Sequence, residues 1–174
     1  MCSCGDWLAE NPKNVITRNN AYKTEADAEA AIIGVYNAMS SDYFGITYYL
    51  MEELHGDYLI GRGTQAPISS FNMLLNQYSI DRAGACWESF YRCINRANAV
   101  LDNIPGMTIS GAVKDKVLGE AHFLRAMCYF NLVRAFGPVP MREHEVTDEG
   151  GIAVARTPEA ELFDLMESDL EIAE

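Results

Sequence analysis

The sequence predicts an all-α fold. Three observations carry this expectation. Apolar residues recur at helical spacing in five segments, no segment alternates as a strand would, and helix start and stop signals flank those segments. Thr24-Glu25-Ala26-Asp27 has the pattern of a capping box, after which Ala28, Ala31, Ile32, Val35, Tyr36 and Met39 recur along one face of a first helix. A second helix is expected from Tyr43 to Leu59. Gly61 to Ala85 follows, with glycines, Pro67 and serines that mark an irregular segment. It is longer than a connector requires, and loops of that length tend to be functional. Trp87, Phe90, Tyr91, Ile94, Ala97 and Leu101 define a third helix, which Ile104-Pro105-Gly106 stops. The fourth is expected from Val113 to Phe136. The fifth opens at Thr157-Pro158, a threonine cap with proline at the first helical position, and carries Leu162, Leu165, Met166 and Ala173.

The fourth helix, within "GEAHFLRAMCYFNLVRAFGPVP", is the most apolar stretch. At about 100° per residue, Lys116, Glu120, Asn131 and Arg134 fall along one narrow polar stripe. Val117, Ala121, Leu124, Cys128 and Leu132 lie on one side of it; Gly119, Phe123, Ala126, Phe130 and Val133 lie on the other. Two apolar faces predict a helix sandwiched between neighbours, with Gly119, Ala121 and Ala126 allowing close approach. His122 and Arg125 face away from the polar stripe, so both are expected to pair within a helix interface. Gly119, Phe123 and Ala126 also follow the small-x3-Phe-x2-Ala spacing of a tetratricopeptide second helix, with Trp87, Phe90, Tyr91 and Ile94 at the bulky first-helix positions. The helices are longer than the consensus, so the repeat is degenerate.

Composition narrows the function classes. The 174 residues are 49% hydrophobic, enough for one domain with a real core. A net charge of -12 with no basic run argues against binding to a nucleic-acid backbone, which needs clustered Lys and Arg. No window reaches the roughly 18 apolar residues of a membrane span. Of the five cysteines, Cys86, Cys93 and Cys128 fall in helical patterns and read as small core residues. No Cys or His pair has zinc spacing, so neither metal nor cofactor is expected. Glu52, Glu53 and Asp57 cluster on the second helix, with Glu53 and Asp57 one turn apart, and read as solvated carboxylates. His55, His122 and His144 are far apart, and no G-x-S-x-G nucleophile accompanies them, so the chain does not read as an enzyme.

The N-terminus, "MCSCGDWL", places Ser3-Cys4-Gly5 before a polar stretch, like the tail of a lipoprotein signal. Only three residues precede Cys4, without the charged start and apolar run of an export signal.

Taken in order, "SCGDWLAENPKN", "TEADAEAAIIGVYNAM", "MEELHGD", "WESFYRCINRANAVLDNIP", "GEAHFLRAMCYFNLVRAFGPVP" and "ARTPEAELFDLMESDLEIA" cover nearly the whole chain, and it resembles the SusD/RagB-like nutrient-binding outer-membrane lipoproteins. The resemblance implies tetratricopeptide-like helix pairs with irregular loop insertions. It implies a lipid anchor on Cys4 following an upstream signal, with residues 1–23 as the lipoprotein tail and 24–174 as the N-terminal helical scaffold, stopping mid-helix at Glu174. It further implies a partner TonB-dependent transporter, a glycan ligand or in some branches a peptide, and binding without catalysis.

Glycan sites set aromatic faces against sugar rings and planar amides or guanidinium groups against hydroxyl pairs. The irregular segment supplies these types, and Arg62, Asn76 and Tyr78 are its ligand-binding candidates. Trp87 has the right chemistry but a core position, and reads as structural. The alternative to a surface glycan receptor is a tetratricopeptide-like protein-interaction module, which would need neither a lipidated Cys4 nor a long loop insertion.

Overall fold

The computed structural model describes residues 21–40, 45–70, 77–147 and 153–174. Among the described residues six α-helices run in order: α1 (Glu25–Met39), α2 (Ile46–Glu53), α3 (Ala66–Ser69), α4 (Gln77–Asn103), α5 (Gly111–Phe136) and α6 (Glu159–Ala173). Among the described residues no strand forms; Val139 and Thr157 make one isolated antiparallel bridge. The all-α expectation holds, and long helices packed side by side build the core.

α1 starts as its sequence requires. The Thr24 hydroxyl accepts from the Asp27 amide at 3.2 Å, and the Asp27 carboxylate accepts from the Thr24 amide at 2.8 Å. This reciprocal pair satisfies donors that the first turn leaves open. Ala28, Ile32, Val35, Ala38 and Met39 are buried against α4 and α5, while Tyr36 lies at the edge, 45% exposed. α4 presents Cys86, Phe90, Cys93, Ala97, Val100 and then Ile104 as one buried seam. Cys86, Cys93 and Cys128 are buried, the core role expected of them.

Three boundaries differ from the sequence reading. α4 begins at Gln77, so much of the stretch expected to be irregular is helical. No proline lies between Gln77 and Asn103, and the lone Gly84 costs a helix only about 1 kcal/mol relative to alanine. α2 stops at Glu53, short of Leu59, as Leu54, His55 and Gly56 tighten into a closing turn. Asp57 therefore lies beyond the helix and does not share a helical face with Glu53. Thr157 does not cap α6. Its hydroxyl accepts from the Met141 amide at 3.2 Å and its own amide donates to Val139 O at 3.0 Å, which leaves Pro158 at the cap.

The sandwich expected for α5 is half realised. Val117, Ala121, Leu124, Cys128 and Leu132 are all buried. On the other side Ala126 and Val133 are buried under neighbouring helices, but Phe123 and Phe130 remain 47% and 46% exposed. With Phe163 and Leu170 they border an apolar groove between α5 and α6 of about 410 Å³. Exposed apolar surface of this kind drives association in water. The 174-residue chain is expected to self-associate with rising concentration in sedimentation velocity, and a Phe123→Ser/Phe163→Ser double variant to shift it towards monomer. A wild-type chain that stays monomeric and melts cooperatively would remove the groove as a sticky surface.

Two glycines respond oppositely to substitution. Gly137 ends α5 with φ +66° and ψ −141°, backbone that disfavours any side chain, and its amide closes the helix on Val133 O. A methyl at Gly119 would instead meet Ala173 O at 3.6 Å, an ordinary contact, so the close approach does not demand glycine there. Gly119→Ala is expected to gain up to about 1 kcal/mol, and Gly137→Ala to lose about 1–3 kcal/mol, in paired thermal melts.

Candidate functional site

The surfaces available to a ligand are set by how α4, α5, α6 and the segment 137–147 are tied together. Arg125 of α5 is buried and cannot leave its donors unmatched. Its Nε donates to Asp169 Oδ2 at 2.8 Å and its Nη2 to Asp169 Oδ1 at 2.7 Å, a forked pair reaching α6. Its Nη1 donates to Asn98 Oδ1 on α4 at 2.8 Å and to Glu143 O at 3.0 Å. His122 Nδ1 lies 2.7 Å from Asp169 Oδ1. Both residues expected to pair within a helix interface do so, on one carboxylate. Burial pushes Asp169 up, but the hydrogen bonds and charges of Arg125 and His122 together outweigh it and hold the carboxyl below its ordinary range.

The segment after α5 has no regular structure, yet side chains satisfy its backbone. Tyr91 donates to Pro140 O at 2.6 Å, Tyr129 to Arg142 O at 3.0 Å, and the Arg142 amide donates to the Tyr129 oxygen at 2.6 Å. Asn98 Nδ2 reaches Arg142 O and His144 O, Asn95 Oδ1 accepts from the Val146 amide, and Asp102 holds the Glu145 amide and His144. Burial first pushes both tyrosine hydroxyls well above their ordinary value, so they remain protonated donors.

Two mixed clefts result. The first, of about 380 Å³, lies between α4 and this segment, and its lining includes Trp87, Tyr91, Asn95, Pro140, Arg142 and Val146. Trp87 is packed as a structural residue: its ring meets Tyr91 at 5.0 Å and Phe136 edge-on at 5.2 Å, with the Arg156 guanidinium over it at 5.6 Å. The second, of about 290 Å³, lies between α2 and α5, and its lining includes Tyr48, Tyr49, Glu52, Glu53, Asn131 and Arg134. The carboxylate cluster and the polar stripe of α5 thus meet, a juxtaposition that needed the relative placement of two helices distant in sequence. Arg134 Nη2 donates to Glu52 Oε2 at 3.3 Å, and Tyr48 donates to Asn131 Oδ1 at 2.9 Å. Burial first, then Glu52, pushes the Tyr48 hydroxyl up to about 12.

Among the loop candidates, the described Arg62 lines neither cleft. Arg62 is exposed, at the start of a short 3-10 turn over Gly63–Gln65. Gly61 is required there, since a Cβ would come within 2.3 Å of Gln65 O, and its amide donates to Ser69 Oγ at 2.6 Å. Arg82 on α4 donates to the Gln65 side chain, so Arg62's segment is tethered to α4, whose first turn contains Tyr78. Asn76 and Cys4 lie outside the described residues. Among the described residues no group of three His, Cys, Asp or Glu side chains could hold a metal, and no helix is long and apolar enough to cross a membrane.

The Arg125–Asp169 tie makes a prediction. A depressed carboxylate stabilises the fold fully above its unfolded value of about 3.9 and loses that contribution as pH falls through the folded one. The contribution from this group to melting temperature is expected to stay level from pH 7 to about 4 and to fall below that. Asp169→Asn should lower stability at pH 7 and flatten the acid limb, while Arg125→Ala should cost about 3–5 kcal/mol by stranding a buried carboxylate.

Known proteins share both sequence and fold with this chain. Residues 6–174 match the SusD-like family described as starch-binding and associating with the outer membrane. SusD-like protein P2 of Formosa agariphila is 33% identical over 177 residues, 99% of this chain and 35% of the relative. A SusD-like protein of Bacteroides ovatus is 24% identical over 82% of this chain and 26% of its own length. Among solved structures, a laminarin-binding SusD-like protein superposes with a TM-score of 0.71 at 26% identity, covering 87% of this chain and 34% of that one. The chain spans about a third of the length of the curated relatives it matches. With its packed long helices and a match running from Asp6 to Glu174, the chain belongs to the SusD-like family.

Proposed function

We propose that this protein captures glycans at the outer-membrane surface, is held there by lipid on Cys4, and passes its ligand to a TonB-dependent transporter. Family membership over residues 6–174 carries this reading, and the laminarin-binding neighbour supports a glycan as the ligand. Residues 24–174 act as a helical scaffold that displays loops, and residues 1–23 act as the tether. A multiply acylated N-terminus holds a membrane firmly where one chain binds only marginally. The role is binding without catalysis: aromatic rings, guanidinium groups and amides suit hydroxyl-rich ligands.

The test is a calorimetric screen of the full-length protein against soluble polysaccharides, oligosaccharides and peptides. A saturable glycan response is expected, and Arg62→Ala, Asn76→Ala and Tyr78→Ala are expected to weaken it by about threefold to tenfold each where they touch ligand. A response to peptides alone would move the protein to a peptide-capturing role. Silence from a folded sample would leave the interaction-module reading. Metabolic labelling with a palmitate analogue, lost in Cys4→Ser, checks the anchor.

A further inference from the structure

The cleft between α2 and α5 has the chemistry of a saccharide site, and the loop candidate Arg62 is not among its described lining residues. Its floor is already ordered. Asn131 is fixed between the Tyr48 hydroxyl and Met127 O, to which its Nδ2 donates at 2.9 Å. Arg134 is held by Glu52 and by the Phe130 ring, 5.3 Å from its guanidinium carbon. These groups project from helices, so a ligand would not have to order them first, which spares affinity. The rim is open. The Tyr49 ring is 51% exposed, and the exposed Glu53 carboxylate makes no ion pair or hydrogen bond among the described residues.

We propose that this cleft is a subsite for a neutral, hydroxyl-rich glycan, with Tyr49 against the sugar's apolar face and Glu53 and Arg134 on its hydroxyls. An aromatic face matches the C–H surface of a pyranose ring, a carboxylate accepts from adjacent hydroxyls, and a guanidinium donates to ring or hydroxyl oxygens. The charge of the cleft selects the class. Two carboxylates face one guanidinium, within a chain of net charge -12, so uronic acids and sulfated sugars are repelled. The size, about 290 Å³, is at the small end of ligand pockets and accommodates a short stretch of a longer chain. The α5/α6 groove is larger, but it is lined almost entirely by apolar side chains and offers little to hydroxyl groups.

This assignment rests on the glycan-capture reading, and the experiment separates the two. The full-length protein is titrated calorimetrically with oligosaccharides from laminarin, xyloglucan and starch, and with polygalacturonate and chondroitin sulfate. Neutral oligosaccharides are expected to bind and the two polyanions to fail. Tyr49→Ala should weaken binding about fivefold to tenfold and Glu53→Gln about threefold, while Tyr49→Phe, which keeps the ring, should bind within about twofold of wild type. Both positions are exposed, so unchanged melts are the control for folding. A wild-type protein that binds a neutral glycan while Tyr49→Ala and Glu53→Gln bind equally well keeps the capture function and overturns this subsite. Preference for the polyanions overturns the charge argument and with it the ligand class. No glycan binding by a folded protein overturns both readings.

Discussion

One buried guanidinium constrains most of this structure. Removing Arg125 and Asp169 from water costs several kcal/mol per ion, and the pair repays that only if its geometry is good and its remaining donors and acceptors are met. The forked bonds to Asp169, with Asn98 and Glu143 O on the third nitrogen, meet that condition. Satisfying it fixes α4, α5 and α6 at one point and pins the chain leaving α5 to the same point. A slip of α6 by one residue would swing Asp169 about 100° away and leave a charge stranded. Apolar packing alone would be more forgiving of such a slip.

The same point explains how 137–147 can be ordered without a helix or a ladder. Gly137-Pro138-Val139-Pro140 removes two amide donors and ends α5, so the backbone that follows must find its partners elsewhere. It finds them on α4 and α5: Tyr91, Asn95, Asn98, Asp102 and Tyr129 supply bonds at near-regular helical intervals. Tyr91 and Tyr129, each with an apolar ring and a polar tip, suit this role, since they pack into the helix interface and still reach the segment. One wall of the first cleft is this segment, so that cleft exists only because the ties hold.

The fold was largely legible in the sequence, because period and punctuation speak directly to helices. Thr24 and Asp27 were readable as a cap, and so was the buried face from Val117 to Leu132. What escaped were decisions made by tertiary contact. Thr157 has a capping residue's chemistry, but the Met141 amide claims its hydroxyl. Gly84 looks like punctuation, yet the tether from Arg82 to Gln65 and the packing of Cys86 and Phe90 sit on a continuous helix that tolerates it. Asp169 stood among many acids in "LFDLMESDLEIAE" with nothing local to distinguish it. The pairing of Arg125 and His122 was legible from their angle; their partner was not. The second cleft escaped for a like reason, since Glu52 and Arg134 are 82 residues apart.

The fate of the cations bears on what the surface can attract. Several are engaged in hydrogen bonds or ion pairs within the fold. Arg96 donates to Gly34 O, Lys114 to Pro105 O and Met107 O, and Arg156 to Phe136 O and Pro138 O, where the end of α5 gathers partial negative charge. Arg125 is buried on Asp169, and Arg92 is matched by Glu88 one turn away. Exposed carboxylates such as Glu53 belong to a chain whose net charge is -12, so the field around it is negative. Within a Debye length of about 8 Å at physiological salt, that field disfavours anionic ligands and leaves neutral ones unaffected. The basic side chains thus close helix ends and anchor α6, and the fold and the charge distribution of its surface rest on the same few residues.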